Sequence, residues 1–269
     1  MSELDKNMQD SAPPCASPSS HANAPKEANK PMKPLATTPP PSMLDFLRDI
    51  RLFILDLDNT LFDENTYLEA VFCAFFATQK LEVESQAITH TLADTTRKDS
   101  KDIFRTFLEA CSFGYSAAHH DLLFDLYSSL ECPLALYEDA SRFLTHLTQS
   151  NLPFAILTNG ATPPQKNKIK NLALSHLPVF YARAEGRDYE KPHSRAFLRV
   201  CEHFHTPPQQ ACMIGDQPAT DIKGAHALGM KSLLLRRGYG ALTPCNEASG
   251  SFGSFDELIP HLALPKSKA

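Results

Sequence analysis

The stretch Leu52-Phe53-Ile54-Leu55-Asp56-Leu57-Asp58-Asn59-Thr60-Leu61 decides the fold. It begins with an apolar run without alternation, which is typical of a parallel strand covered on both faces. The run ends in two carboxylates, Asp56 and Asp58, spaced i and i+2. Ligands of open α/β sheets bind beyond the carboxyl ends of the strands, and residues two apart on an extended chain share a face. The stretch therefore predicts a central strand that directs two acids at one site.

Two crowded carboxylates repel each other, so a site of this kind needs a cation or a shared proton. A plainer interpretation of the same residues is a strand that runs into an Asp-Asn turn, because both residue types favour turns. The stretch alone leaves these two interpretations open, and the remaining sequence has to separate them.

Composition places the chain among ordinary globular proteins. It has 269 residues, 42% of them hydrophobic, and a net charge of -5, which suits one large domain or a core domain with a smaller one. No long basic run and no apolar run of about 18 residues is present, so we expect neither a nucleic-acid nor a membrane partner. The seven cysteines are scattered and never form C-x-x-C, which favours reduced thiols in a cytoplasmic protein.

The first 43 residues differ from the rest in being rich in Pro, Ser, Ala, Asn and Lys, with almost no large apolar side chain. Such a segment buries too little surface to offset the entropy of ordering it. We predict a disordered tail over residues 1–43 without a role in turnover, and it lacks the apolar core of a secretory signal.

In the remaining sequence the spacing of the apolar residues changes twice. Residues 64–135 carry apolar side chains at helical spacing and predict an inserted bundle of three to five helices. Residues 44–63 and 136–265 alternate strand and helix patterns and predict one doubly wound parallel sheet. Within them we expect a helix with a mostly solvated lysine face (Lys166, Lys168 and Lys170), a loop over residues 238–254 and a closing helix over residues 255–262.

Polar groups follow further predicted strands at their ends. Thr158-Asn159-Gly160 follows one strand, Lys191 lies in a loop before a helix, and Gly215-Asp216 follows another strand with Asp221 shortly after it. The carboxyl ends of parallel strands meet at one crevice. Carboxylates suit Mg²⁺, which prefers oxygen ligands, while a lysine, a threonine hydroxyl and backbone N–H groups at a helix N-terminus suit phosphate.

Each of these features also has a simpler explanation. Lys191 beside Pro192 is compatible with an ordinary loop lysine, and Asp221 with a favourable charge in the first turn of a helix. The Thr158-Asn159-Gly160 segment is compatible with a plain strand-to-helix turn. The histidines, including His119-His120, show no metal-binding spacing.

The order D-L-D-N-T-L, T-N-G, Lys-Pro and G-D-x4-D over about residues 50–240 resembles the haloacid dehalogenase (HAD) superfamily of phosphohydrolases. The resemblance implies a Rossmann-like core and identifies the helical insertion with the C1-type cap of subfamily I. It also implies a bound Mg²⁺ and an aspartyl-phosphate intermediate. The segment from Gln165 to Ile169 and the residues after Asn59 are similar to the 5'-nucleotidase-like part of the family.

The resemblance implies a role for each matching residue. Asp56 corresponds to the nucleophile and Asp58 to the general acid and base. Asp216 corresponds to a Mg²⁺ ligand together with Asp56 and the Asp58 carbonyl, and Asp221 to a further acid of the metal site. The phosphate-binding group would comprise Thr158, Asn159 and Lys191.

The expected function is thus a Mg²⁺-dependent phosphomonoesterase acting on a small phosphate ester, such as a nucleotide or a sugar phosphate, in a monomer or homodimer. A phosphomutase of the β-phosphoglucomutase type would share every residue named. A hydrolytic haloacid dehalogenase needs no acid for its leaving halide, so Asp58 counts against it. A phospho-accepting signalling domain places its acceptor aspartate after a later strand and has no inserted cap, and a non-catalytic scaffold is the remaining alternative.

Overall fold

The computed structural model describes residues 46–262 apart from Arg48. Six parallel strands form one sheet in the order β3-β2-β1-β4-β5-β6. The strands are β1 (Leu52–Leu55), β2 (Phe154–Thr158), β3 (Val179–Tyr181), β4 (Ala211–Gly215), β5 (Lys231–Leu235) and β6 (Gly250–Phe252). The predicted doubly wound parallel sheet is confirmed, with β1 between β2 and β4 where the strand order reverses. The tail predicted for residues 1–43 lies outside the described residues.

Helices account for most of the chain between the strands. In the part that the structure describes they are α1 (Glu64–Gln79), α2 (Ser85–Leu92), α3 (Asp94–Asp99), α4 (Ile103–Ala110), α5 (Ala117–Ser129), α6 (Glu138–Gln149), α7 (Thr162–Asn171), α8 (Ser194–His203), α9 (Lys223–Ala227) and α10 (Tyr239–Leu242). Helices α1 to α5 all fall in the segment 64–135 that was predicted to be an inserted helical bundle.

Strand β1 is buried on both faces, which explains why its sequence does not alternate. Phe53 and Leu55 belong to the larger core cluster, where the Phe53 ring lies 6.1 Å from that of Phe143 on α6. Leu52 and Ile54 point to the opposite face, into a cluster that includes Phe197 of α8. Burial on both faces fixes the register of β1, and thereby the position of the acids that follow it.

The inserted helices share a core rich in phenylalanine. Phe72 of α1 stacks on Phe107 of α4 with ring centroids 4.0 Å apart and an interplanar angle of 9°. Four further apolar residues of α1 at helical spacing are buried as well: Leu68, Val71, Phe75 and Phe76. Such contacts bury much apolar area and add the specific attraction of aromatic pairs, so these side chains stabilise the bundle.

Helix α7 of the sheet domain holds the end of the bundle. The Asn167 side-chain amide donates to the Tyr67 hydroxyl at 2.8 Å and to the Leu130 carbonyl at 2.9 Å, and Asn171 donates to the same carbonyl at 2.9 Å. These bonds satisfy groups near the end of α5, so the bundle is seated on the helix that follows β2.

The predicted secondary structure is wrong near the C-terminal end. The predicted loop over residues 238–254 contains α10 and β6. The short segment Gly250–Phe252 is a strand because it pairs with the otherwise open edge of β5. The predicted helix over residues 255–262 is two 3₁₀ turns, Phe255–Glu257 and Ile259–His261. Pro260 has no N–H group, so the first 3₁₀ turn cannot continue into a longer helix through it.

Candidate active site

Three carboxylates meet where β1 and β4 end. Asp56 follows β1 and donates its N–H to the Ile214 carbonyl at 2.9 Å, which extends the ladder between the two strands. Asp216 follows β4, and Asp221 lies in the single π-helical turn Pro218–Ile222 after it. One carboxylate oxygen of each acid lies within 4.8 Å of the other two, and all three side chains are buried.

A buried lysine joins two of these acids. Lys191 Nζ lies 2.5 Å from Asp56 Oδ1 and 2.7 Å from Asp221 Oδ1. Its main chain is held by Asn159, whose Oδ1 accepts from the Lys191 N–H and whose Nδ2 donates to the Lys191 carbonyl, both at 2.8 Å. The Asn159 side chain therefore positions Lys191. The main-chain N–H of Asn159 is then the group of this residue that can make the predicted phosphate contact.

Thr158 lies at the predicted place. Because Ile156 pairs with Leu55, the end of β2 lies beside the segment that carries Asp56. The Thr158 side chain is buried, and its hydroxyl donates to the Asn159 carbonyl at 3.2 Å. Asp56, Thr158 and Asp216 thus lie at neighbouring strand ends, and Lys191 and Asp221 reach this group from the segments that follow β3 and β4. The roles of these side chains in turnover remain a prediction.

The charges at this site are unbalanced. The pKa of Asp56 is raised to about 6. Burial is the largest cause of this rise, the charge of Lys191 opposes it, and the charge of Asp221 adds to it. Burial and the charges of Asp56 and Asp221 hold the pKa of Asp216 well above its usual range. Burial alone would lower the pKa of Lys191, but the two neighbouring carboxylates outweigh it and raise the pKa. Three acids thus share a single ammonium, an arrangement that a divalent cation would stabilise.

The surroundings of Asp216 are fitted closely to its carboxylate. The Thr60 hydroxyl lies 3.4 Å from Asp216 Oδ1 and 3.3 Å from Asp56 Oδ2, and the Tyr239 N–H donates to Asp216 Oδ2 at 2.9 Å. A Cβ atom on Gly238, which has φ of 51°, would lie 2.3 Å from Asp216 Oδ2. Only glycine therefore lets the chain pass this carboxylate in its present position.

Asp58 lies in a different environment from Asp56. Its Oδ1 accepts from Lys168 Nζ at 2.8 Å, and its Oδ2 accepts from Gln165 Nε2 at 2.8 Å. The prediction that Lys168 lies on a solvated face is wrong, because its side chain is 0% exposed, whereas Lys166 and Lys170 are exposed as predicted. Lys168 points inward because Asp58 and Glu64 together offer it two carboxylates.

Mutual charge effects extend from Asp58 into the inserted helices. Burial and the charge of Glu64 raise the pKa of Asp58 to about 6 despite Lys168. Burial alone would raise the pKa of Glu64, but the charges of Lys168 and Arg97 outweigh it and hold that pKa well below its usual range. Glu64 therefore remains an anion between two cations, and Asp58 shares one of them.

A cleft of about 460 Å³ opens between the inserted helices and the sheet domain. Its walls include Glu64 and Tyr127 from the network around Asp58, together with aromatic and basic side chains. The aromatic and basic members are Phe104, Phe124, Tyr239, Arg97, Lys101, His120 and Arg183. The cleft therefore combines apolar surface with charged groups of both signs, and Glu64 in its wall contacts Lys168, which in turn contacts Asp58.

Several residues that contact the site acids were not assigned to the site from the sequence. Thr60 stood inside the quoted motif without an assigned role, and its spacing of four from Asp56 was the available signal. Gln165 and Lys168 are spaced i and i+3 on a helix that follows a strand end, so they lie on one face of that helix. This spacing was the available signal for the pair. Glu64 is among the residues after Asn59 that resemble the nucleotidase-like part of the family, but neither Glu64 nor Tyr239 was assigned to the site, because their partners lie far away in the sequence.

The comparison with protein families agrees with this geometry. Residues 50–229, well over half of the chain, match the model described as haloacid dehalogenase-like hydrolase. The chain belongs to the haloacid dehalogenase-like hydrolase family. The resemblance noted in the sequence is thereby confirmed, and membership of this family makes the strand-end acids of the chain the expected place for its chemistry.

Curated relatives of this HAD-family chain include named phosphatases. A phosphoserine phosphatase from Thermus thermophilus is 31% identical over 103 residues, which cover 38% of this chain and 41% of that protein. A phosphoglycolate phosphatase from Salmonella typhi is 29% identical over 134 residues, which cover 49% of this chain and 53% of that protein. The matches thus span about half the length of these relatives.

Solved structures share the fold. A HAD family hydrolase from Deinococcus radiodurans, solved with bound phosphate and sodium, aligns over 81% of this chain and 99% of that one, with a TM-score of 0.58 and 20% identity. Among the described residues of this HAD-family chain, no helix combines the length and the apolar character needed to cross a bilayer.

Proposed function

We propose that this HAD-family chain is a Mg²⁺-dependent phosphomonoesterase that works through an aspartyl-phosphate on Asp56. The observation that carries the proposal is the contact of Lys191 with Asp56 at 2.5 Å, inside a group of three buried acids. A nucleophilic carboxylate needs a neighbouring cation to stay ionised when buried, and a phosphate needs positive charge to approach it. Both requirements are met by the same arrangement.

The residues present fit a Mg²⁺ ion. Mg²⁺ is bound through oxygen and keeps several waters, so a few converging carboxylates are sufficient. Asp56, Asp216 and Asp221 would supply those oxygens, and the family resemblance adds the Asp58 carbonyl. Gly215 leaves room for Asp221, since a Cβ there would lie 2.1 Å from Asp221 Oδ2. When bound, the ion would neutralise negative charge on the phosphate and on the acids around it.

The side chains would then divide the reaction between them. Asp56 attacks phosphorus, forming a bond between its carboxylate oxygen and phosphorus while the bond to the ester oxygen breaks. Asp58 gives a proton to that departing oxygen, and in the second step takes a proton from the water that releases inorganic phosphate from Asp56. Lys191, the Thr158 hydroxyl and the main-chain N–H of Asn159 hold the phosphoryl oxygens.

The substrate body is proposed to occupy the cleft of about 460 Å³ under the cap, residues 64–135. Its aromatic and basic lining suits a ring or sugar that carries hydroxyl groups or a second negative charge. Nucleoside monophosphates and sugar phosphates have this chemistry, and the relatives named above act on small phosphate esters. We infer that the substrate comes from these classes.

Two neighbouring reactions are separated from this proposal by simple assays. A phosphomutase would return phosphate to a second hydroxyl of the sugar, so its product is an isomer and inorganic phosphate stays low. A haloacid dehalogenase needs no proton on its leaving halide, whereas here Asp58 is held by two donors beside the site. The position of Asp58 favours an ester oxygen as the leaving group.

The deciding experiment is a screen of nucleoside monophosphates, sugar phosphates and phosphoglycolate for phosphate release, with Mg²⁺ and with EDTA. We expect release only with Mg²⁺ and none from Asp56→Asn. The matched control is Asp188→Asn, an exposed aspartate outside the site, which should retain wild-type rates. Phosphate release that survives Asp56→Asn, or halide release from a haloacid in EDTA, would contradict the proposal.

A further inference from the structure

Lys168 is a fully buried lysine that no step above uses. Its Nζ lies 2.8 Å from Asp58 Oδ1 and 2.6 Å from Glu64 Oε1, and 4.7 Å from the centre of the Tyr127 ring. A buried ammonium is tolerated only where several groups compensate its charge. Its partners come from both parts of the molecule, because Asp58 follows β1 whereas Glu64 and Tyr127 belong to α1 and α5.

Asp58 is held on both of its oxygens from one helix face. Lys168 donates to Oδ1 and Gln165 donates to Oδ2, and the two donors lie three residues apart on α7. Residues at this spacing are neighbours on a helix surface, so both donors bind the carboxylate from the same side. Two directional bonds fix the plane of the carboxylate as well as its position.

The other end of this arrangement is tied to the inserted helices. Glu64 accepts from the Tyr127 hydroxyl at 2.7 Å and from Arg97 Nη2 at 2.5 Å, in addition to Lys168. Arg97 also donates to Asn65 Oδ1 at 3.0 Å, and its carbonyl lies 3.4 Å from the Tyr239 hydroxyl. Glu64 is therefore fixed by cap residues and in turn fixes the lysine that grips Asp58.

Asp56 and Asp58 accordingly contact different lysines. Lys191 contacts Asp56 and Asp221 on the side of the metal-site acids, whereas Lys168 contacts Asp58 and Glu64 on the side of the cap. A nucleophile and a proton donor need different placement relative to the substrate, since one faces phosphorus and the other the departing oxygen. Separate lysines allow the two carboxylates to be placed independently.

We propose that Lys168 is a positioning residue, which Glu64 anchors to the cap and which, with Gln165, aims Asp58 at the departing oxygen of the ester. This inference rests on the proposed phosphatase function and adds to it a link between the cap and the proton donor. Seating of the cap and orientation of Asp58 are coupled through one ammonium group. Loss of Lys168 then weakens proton donation more than it weakens attack by Asp56.

The test compares two esters that differ in their need for a proton. p-Nitrophenolate leaves readily without one, whereas phenolate is a stronger base and gains more from an acid. With Lys168→Met we expect kcat/KM for phenyl phosphate to fall by about 10²- to 10⁴-fold, and that for p-nitrophenyl phosphate by less than about tenfold. The value of kcat/KM is chosen because it reports the step in which the ester bond breaks.

Matched variants control for damage to the fold. Lys170→Met changes an exposed lysine of the same helix and should leave both esters at wild-type kcat/KM. If Lys168→Met does not yield folded protein, Gln165→Leu removes the second, uncharged donor to Asp58 together with its bond to the Asn159 carbonyl at 2.8 Å. It should still lower kcat/KM for phenyl phosphate more than for p-nitrophenyl phosphate. In an Asp58→Asn background, Lys168→Met should cause no further loss on phenyl phosphate, because its effect acts through Asp58.

The outcomes separate this inference from the proposed function. Equal losses on the two esters from Lys168→Met and from Gln165→Leu, or a full further loss in the Asp58→Asn background, would overturn the positioning role while the phosphatase stands. A wild-type chain that hydrolyses neither ester with Mg²⁺ would overturn the proposed function and this inference with it.

Discussion

Lys191 Nζ lies 2.5 Å from Asp56 Oδ1, so the proposed nucleophile is paired with a cation before any substrate is present. The pair is buried, and Lys191 also contacts Asp221. Burial strengthens such interactions and at the same time makes an unpaired partner costly. The lysine therefore both keeps Asp56 ionised and supplies positive charge where a phosphate would approach.

Replacing Lys191 should disable turnover. Lys191→Met leaves buried acids without their cation, and we expect kcat/KM to fall by about 10²- to 10³-fold, as when a preorganised electrostatic donor is removed. Lys191→Arg should not restore the rate, because the planar guanidinium does not fit between two carboxylates spaced for a point charge. Steady-state kinetics with Lys223→Met as control, an exposed lysine of α9, would check this. Near-normal activity of Lys191→Met would contradict it.

Mg²⁺ should stabilise the folded chain through the three acids. A ligand that binds only the native state raises the melting temperature, so we expect wild type to melt at a higher temperature in Mg²⁺ than in KCl of equal ionic strength. Asp216→Asn removes one of the three grouped carboxylates and should abolish most of this shift. Differential scanning fluorimetry measures the effect without any assay of activity. An unchanged shift in Asp216→Asn would place the ion elsewhere.

Gly238 should be needed for the geometry of Asp216. In Gly238→Ala the new Cβ would meet Asp216 Oδ2 at 2.3 Å, so the carboxylate has to move. We expect the Mg²⁺ concentration for half-maximal activity to rise by about 10- to 100-fold, as when a group that orients a metal ligand is altered. The control is Gly114→Ala, which has a similar positive φ of 71° and no atom within 4 Å of its Cβ. An equal rise in both variants would show that backbone strain alone is responsible.

The sequence contained enough to predict the sheet and the acids at its strand ends. Those features are local: an apolar run sets a strand, and the residue after it lies at the carboxyl edge. Asp56, Asp216 and Lys191 could be found in this way because each directly follows or flanks a predicted element. The helical spacing of apolar residues in the segment 64–135 likewise predicted the inserted helices, whose core includes Phe72.

Burial that depends on a distant partner could not be predicted in the same way. Lys168 has the spacing of an exposed lysine, and it turns inward because of Asp58 and Glu64, which lie 110 and 104 residues away in the sequence. The three-residue strand β6 becomes a strand only by pairing with the edge of β5. In both cases a contact with a residue or strand distant in the sequence determines the local structure, and the local sequence pattern does not indicate that contact.

Asp139 is a buried acid that joins three parts of the sheet domain. Its Oδ2 accepts from Arg237 Nη2 at 2.9 Å, from the Ser254 hydroxyl at 2.9 Å and from the Phe255 N–H at 3.0 Å. Arg237 in turn lies over the Tyr137 ring at 3.9 Å. One buried carboxylate thus fastens α6, the segment after β5 and the final 3₁₀ turns to one another.

The pH dependence of stability should reveal this role of Asp139. Burial alone would raise its pKa, but the hydrogen bonds from Arg237, Phe255 and Ser254 outweigh burial and lower it. A folded pKa below the unfolded value of about 3.9 means that the stabilisation is complete above that value and is lost as the pH falls through the folded pKa. We therefore expect Asp139→Asn to reduce the free energy of unfolding by about 1.5 to 3 kcal/mol at pH 7 and by less near pH 3.

Urea denaturation of wild type and Asp139→Asn at both pH values measures the difference between them. The control is Asp256→Asn, which breaks an exposed pair with Arg142 between the same two parts of the chain and should have little effect at either pH. The fold supplies the reason for the contrast, because Asp139 is shielded from water and cannot exchange its lost partners for solvent, whereas Asp256 can. A stability gap for Asp139→Asn that widens as the pH falls would show that the carboxylate is not the stabilising form.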